Sequence, residues 1–386
     1  MNRISYFFSQ PHQPFFALGV INAILFMVLF YLGFKWVLAI DTRFFHSYSM
    51  IFLVFTNLFL GFTNTTFPRF SQTKEIEPKR YLQIWLLNLI ATISFLVSIY
   101  LQVAFYVSAL VLAISFAYTI KIYLEIYKIS ALPKFDQYWI IVSYGMGAIS
   151  NILFILASIP CKGCKEGVFL YYAISVGVYL YLIFLPALVA FKMVPFFSGL
   201  TNYKKNPHLN RTLFILLFIH TILGGYYPKW IFIVDLITAI YLTKEFLAIN
   251  LPINKNEPLV WGLQLALIWL PLGFFLGSLV EFFEGWFNYY SLKLPEHLLF
   301  LGFLTTIFIA FATRVILGHS NRALRVDKIG SFIIIFSQIA LLGRMALSIA
   351  SSRGEIEPYL DISVTLWLLL FIFWGVKYLR YLFYRG

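Results

Sequence analysis

A run of about twenty apolar residues, repeated about a dozen times along a 386-residue chain, constrains this protein more than any other feature. Twenty residues of helix rise about 30 Å, the thickness of a bilayer's hydrocarbon core. Reading the runs between charge and turn clusters predicts twelve spans, at 15–34, 47–67, 81–99, 101–120, 137–159, 168–190, 211–228, 230–248, 259–280, 297–317, 329–349 and 361–383. The joints near Tyr100 and at Pro228-Lys229 are the tightest, since each must reverse the chain within a few residues. The expected fold is all-α, one polytopic membrane domain over residues 1–386. The longest loop, about Phe191 to Asn210, is too short for a soluble domain to fold alone.

The chain is 61% hydrophobic and only 12% charged, so the placement of its charges is informative. With the N-terminus inside, 21 of the 29 lysines and arginines fall on cytoplasmic segments, the pattern that insertion favours. That asymmetry places both termini in the cytoplasm. It also assigns the formal net charge of +13 to anionic lipid headgroups rather than to nucleic acid. The first run is followed by Lys35-Trp36 instead of a small-residue cleavage site and reads as a retained span, not a signal peptide.

Six histidines stand out against this background. On the twelve-span map, His46 opens the second span and His297 the tenth, both at the outer face. His220 lies midway along the seventh, and His12, His208 and His319 belong to the inner face. An imidazole held in lipid needs a partner, and a metal is one. Two imidazoles at one depth on different helices can clamp a haem iron from opposite faces, so His46 with His297, and His12 with His319, are the expected pairs. His220 is followed one turn on by Gly224-Gly225, where absent side chains admit either a flat ring or a neighbouring helix.

Met50 stands four residues after His46, on the same face of a regular helix, and a thioether beside an imidazole suits copper. Cys161 and Cys164 lie in an outer loop, where an oxidising compartment favours a small-loop disulfide and a copper ion is the alternative occupant. Arg69, Arg314, Arg322 and Arg344 sit at span ends as snorkelling anchors. Arg314 and Arg344 fall deepest, suited to a haem propionate or to a span carboxylate such as Asp235 or Glu281. There is no phosphate-binding Gly-x-x-x-x-Gly-Lys-Ser/Thr loop, no His-Glu-x-x-His and no Cys-x-x-Cys-His, which argues against ATP-driven and hydrolytic chemistry and against attached haem.

Three stretches together resemble the NnrS family of bacterial haem- and copper-containing membrane proteins linked to nitric oxide. They are Pro11-His12-Gln13-Pro14-Phe15-Phe16-Ala17-Leu18-Gly19, the run from His46 to Thr66-Phe67-Pro68-Arg69-Phe70, and the run from His297 to Thr313-Arg314-Val315-Ile316-Leu317-Gly318-His319-Ser320-Asn321-Arg322. The last places two histidines, an arginine and a glycine in fixed order across one helix. The resemblance extends over twelve spans and implies an inner-membrane protein that holds haem b, with copper as a second metal. Its implied ligand is nitric oxide or another diatomic gas, in resistance to nitrosative stress or in denitrification. His46, His297 and His319 match motif histidines, and no particular reaction is implied. Tyr48 and Ser49 stand where the family's second span often has His and Glu, and Asn321 where glycine is usual.

Two other readings remain open. A haem-copper oxidase, a nitric oxide reductase or a membrane cytochrome b would also carry histidines on spans two and ten, although the chain has neither His-His nor His-x-His. A secondary transporter would need helices broken mid-membrane, and only Pro186 and Pro271 are placed to break one. No redox partner is legible.

Overall fold

The computed structural model describes residues 2–132, 134–159, 167–252, 257–287 and 289–384. After a short helix at Arg3–Phe7, twelve long helices follow one another among the described residues. They are α1 His12–Phe34, α2 Thr42–Phe70, α3 Pro78–Val97, α4 Val103–Ile129, α5 Phe135–Ser158, α6 Val168–Phe197, α7 Leu209–Tyr226, α8 Ile231–Ile249, α9 Pro258–Phe287, α10 Leu294–His319, α11 Lys328–Ser351 and α12 Glu357–Leu382. Eleven are long and apolar enough to cross a membrane. The twelfth, α8, carries Asp235, Lys244 and Glu245 within 19 residues. Both tight joints form: α3 and α4 are linked by a turn in which Tyr100 N–H donates to the Val97 carbonyl, and α7 and α8 by a 3-10 turn at Pro228–Trp230. In each case the two joined helices pack on one another. Cys161 and Cys164 lie outside the described residues.

By contacts the chain divides into two compact units. The first comprises Met1–Leu182, Val315–Arg322 and Tyr378–Gly386, and the second Ile183–Arg314 and Ala323–Lys377. Lipid tails are as apolar as leucine, so burial alone does not hold such helices together, and close approach and shared hydrogen bonds must contribute. In the first unit a Cβ on Gly19 would lie 2.3 Å from Leu58 Cδ2, and one on Gly61 would lie 2.7 Å from Phe16 Cδ1, so these glycines set the spacing of α1 and α2. Asn22 donates to the Leu53 carbonyl at 2.8 Å and to Thr92 Oγ1 at 3.1 Å, tying α1 to α2 and α3. Interhelical bonds of this kind contribute about 0.6 kcal/mol each.

Three helices depart from regular α geometry, at the same place in the chain order. Wide π turns occupy Ser49–Phe55 in α2, Val176–Ile183 in α6 and Leu298–Thr305 in α10, every fourth helix. These are also the three most enclosed spans: 100%, 94% and 83% of their apolar windows are buried, against at most 56% for the others. Local chemistry accounts for the widening. Thr56 Oγ1 donates to the carbonyl five residues back, Ile51, at 2.8 Å, and Thr306 Oγ1 does the same to Leu301 at 3.1 Å. Each adds a side-chain bond of π spacing to a carbonyl within the widened segment. In α6 the widened turns end at Ile183, just before Pro186, whose ring and missing N–H disfavour regular bonding to Leu182. The helix runs on through Pro186, and α9 runs on through Pro271, so neither proline makes the mid-membrane break that a transporter would use.

Candidate functional site

The first unit brings His12 and His319 together. His12 opens α1 and is 1% exposed, and its ring centroid lies 4.6 Å from that of His319 at the end of α10, with the planes inclined at 44°. The His12 Nδ1 is buried with no hydrogen-bond partner among the described residues. A buried, unsatisfied ring nitrogen beside a second imidazole has the chemistry of half a metal site. The rings are too close for a porphyrin between them, because nitrogens on opposite sides of one iron lie about 4 Å apart and hold the ring centres farther still. A single ion on one edge of the pair is the arrangement that fits.

The surroundings hold this pair in place. Tyr6 Oη donates to the His319 carbonyl at 3.4 Å, and the charge of Arg69 is near enough to act on both rings. Arg69 itself pairs with Glu75 at 3.4 Å in an exposed position. Arg322 lays its guanidinium over the Tyr381 ring at 4.1 Å, and its Nε is buried without a partner. Asn321, where glycine is usual in the family pattern, has φ +58°, the left-handed region that glycine and asparagine tolerate.

His46 and His297 occupy matching positions in α2 and α10. His46 precedes the first residue of its π segment by three positions, and His297 immediately precedes its own. The His46 ring lies 4.4 Å from that of Phe30. Met50 falls inside the widened turn, so the regular-helix argument that put it on one face with His46 holds only as far as Tyr48. His297 Nδ1 is 2.7 Å from the Lys293 carbonyl, a contact that requires the proton on Nδ1 and leaves the Nε2 lone pair to coordinate. Arg344, on α11, donates to the Leu292 carbonyl and to Ser348 Oγ and stands 3.3 Å from the same imidazole. Arg314 stacks over the Phe197 ring at 3.9 Å.

His220 has a different environment. Its Nδ1 lies 2.6 Å from Asp235 Oδ1, both residues being buried, and Glu281 completes a cluster whose ligand atoms all lie within 4.8 Å of one another. The sequence flags His220 but gives no sign that Asp235 and Glu281 join it, because each carboxylate sits on a different helix near a span end. One available signal is the charge of α8, where Asp235, Lys244 and Glu245 interrupt the apolar run.

A family model described as NnrS protein matches residues 6–385. Comparison with curated proteins finds no match.

Proposed function

Because the chain belongs to the NnrS family, and so to nitric-oxide-related membrane proteins, we propose that it holds haem b among its helices and captures nitric oxide from within the inner membrane, in defence against nitrosative stress or in denitrification. The observation that supports this reading is the placement of His46 and His297, each at the head of a π turn on a highly enclosed helix. Such turns are rare and concentrate at functional sites. The donor set fits the group: imidazole is a natural haem ligand, and the bond from His297 Nδ1–H to the Lys293 carbonyl puts the ring's lone pair on Nε2. Arg344, held against His297, supplies the cation that a propionate requires.

Held by a single histidine, haem iron would offer a diatomic gas its remaining coordination position. The chain's own part is to orient His297 through Lys293, to place the Arg344 charge beside it and to exclude water with the buried wall of α10. His12 and His319 would hold the second metal, copper, since two neutral imidazoles form an uncharged donor pair. The optical spectrum of detergent-purified protein tests the haem assignment. His46→Ala and His297→Ala each remove or shift the haem bands, and a wild-type spectrum retained in both variants would refute it.

A further inference from the structure

We propose that His220, Asp235 and Glu281 form a third site, for a divalent first-row cation such as zinc, manganese or ferrous iron, independent of haem and of the His12–His319 pair. The three side chains come from α7, α8 and α9, which pack consecutively in the second unit. Their ligand atoms lie within 4.8 Å, and the shortest separation is the 2.6 Å between His220 Nδ1 and Asp235 Oδ1. Bonds of about 2.0–2.2 Å to one tetrahedral ion require neighbouring donors about 3.3 Å apart, a value these distances bracket. Side-chain adjustments of about an ångström close the site.

Charge makes the stronger argument. His220 and Asp235 are 3% and 1% exposed in a helical bundle read as membrane-spanning, where net charge is costly. With the imidazole neutral and both carboxylates ionised, the state that metal ligands must adopt, the cluster would carry two negative charges, and one divalent cation brings the total to zero. Glu281 Oε2 is buried and has no hydrogen-bond partner among the described residues, which leaves it as an acceptor for a proton or an ion. On binding, the His220 proton moves to Nε2 and Nδ1 turns its lone pair to the metal, so the ion replaces the hydrogen bond to Asp235. One nitrogen with two oxygens suits borderline divalent ions better than copper(I), which prefers sulfur, or magnesium and calcium, which prefer all-oxygen cages. Three protein donors also leave the fourth position open, the pattern of reactive rather than purely structural zinc sites.

The test uses the full chain in detergent, stripped with chelator, exposed to zinc, freed of excess and assayed for metal and haem separately. Wild type is expected to retain about one zinc per chain. Glu281→Gln and Asp235→Asn lose it while keeping wild-type haem content and a monodisperse profile, and His12→Ala keeps it. Failure of wild type to retain zinc, or retention by Glu281→Gln, would overturn the proposal. If the variants fail to fold, cobalt added to stripped wild type decides: intense tetrahedral visible bands that Glu281→Asp preserves support the site, and their absence overturns it. Haem-free preparations that still bind zinc separate this result from the fate of the haem assignment.

Discussion

The imidazole pair of the first unit and the imidazole–carboxylate cluster of the second are both buried, yet they solve the burial problem in opposite ways. His12 and His319 carry no formal charge when neutral and leave a ring nitrogen unsatisfied, so their need is for a Lewis acid of low charge. His220, Asp235 and Glu281 have negative charge to neutralise, so their need is for a proton or a doubly charged ion. If each place holds a ligand, the charge of the donors determines which one.

The largest effect expected from this contrast is on stability. Asp235→Ala breaks the buried His220–Asp235 pair and costs about 3–5 kcal/mol. His12→Leu changes stability by about 1 kcal/mol or less, since an uncharged pair is being replaced by apolar volume. Thermal unfolding in detergent compares the two, and equal losses would erase the distinction.

Metal preference comes next. Copper is expected to bind wild type and His220→Ala alike but to bind His319→Ala at least about tenfold more weakly, whereas zinc shows the reverse dependence. Isothermal titration reads both, and a single variant that abolishes both metals would merge the two sites into one. A smaller effect is expected at the π turns. Thr306→Val removes the bond to Leu301 and the oxygen that accepts from Gln338 Nε2 at 2.8 Å, costing about 1 kcal/mol, and Thr56→Val costs a similar amount. A loss confined to one of them would end the equivalence of α2 and α10.

The smallest effect belongs to a carboxylate outside the spans, which sharpens the contrast with Asp235. Asp327 caps α11 through the Gly330 N–H and accepts from Lys377 Nζ at 2.6 Å. The Lys377 hydrogen bond, then the Gly330 N–H, hold its carboxyl below the usual carboxylate range. A depressed carboxyl contributes stability that is present above the ordinary aspartate pKa of about 3.9 and lost as pH falls through its own lower value. The side chain is 62% exposed, so solvent screening keeps the effect of Asp327→Asn to about 1 kcal/mol at most. A pH-dependent melting series down to acidic pH measures it.

The twelve helices were legible because lipid demands long apolar runs, and even α8 emerged as a run at 230–248 despite its charges. The His12–His319 pairing was legible too, from matching depth at the start of α1 and the end of α10. The π turns were not, since Ser49–Phe55 and Leu298–Thr305 read as ordinary apolar sequence and the back-bonding of Thr56 and Thr306 is visible only in three dimensions. Sequence offers Asp235 and Glu281, or a haem propionate, as partners for Arg314 and Arg344. In the structure Arg344 meets Leu292, Ser348 and His297, while the carboxylates turn to His220. Sequence supplies depth along a helix, but the facing of three helices towards one point is set by packing.

The measurement that tests the central claim most directly is the oxidised-minus-reduced optical spectrum of the purified wild-type protein, recorded with and without nitric oxide, from cells supplied with ample iron and copper. The account predicts haem b bands that shift on adding the gas and are lost or displaced in His297→Ala. Protein without haem, or haem bands indifferent to nitric oxide, would contradict it.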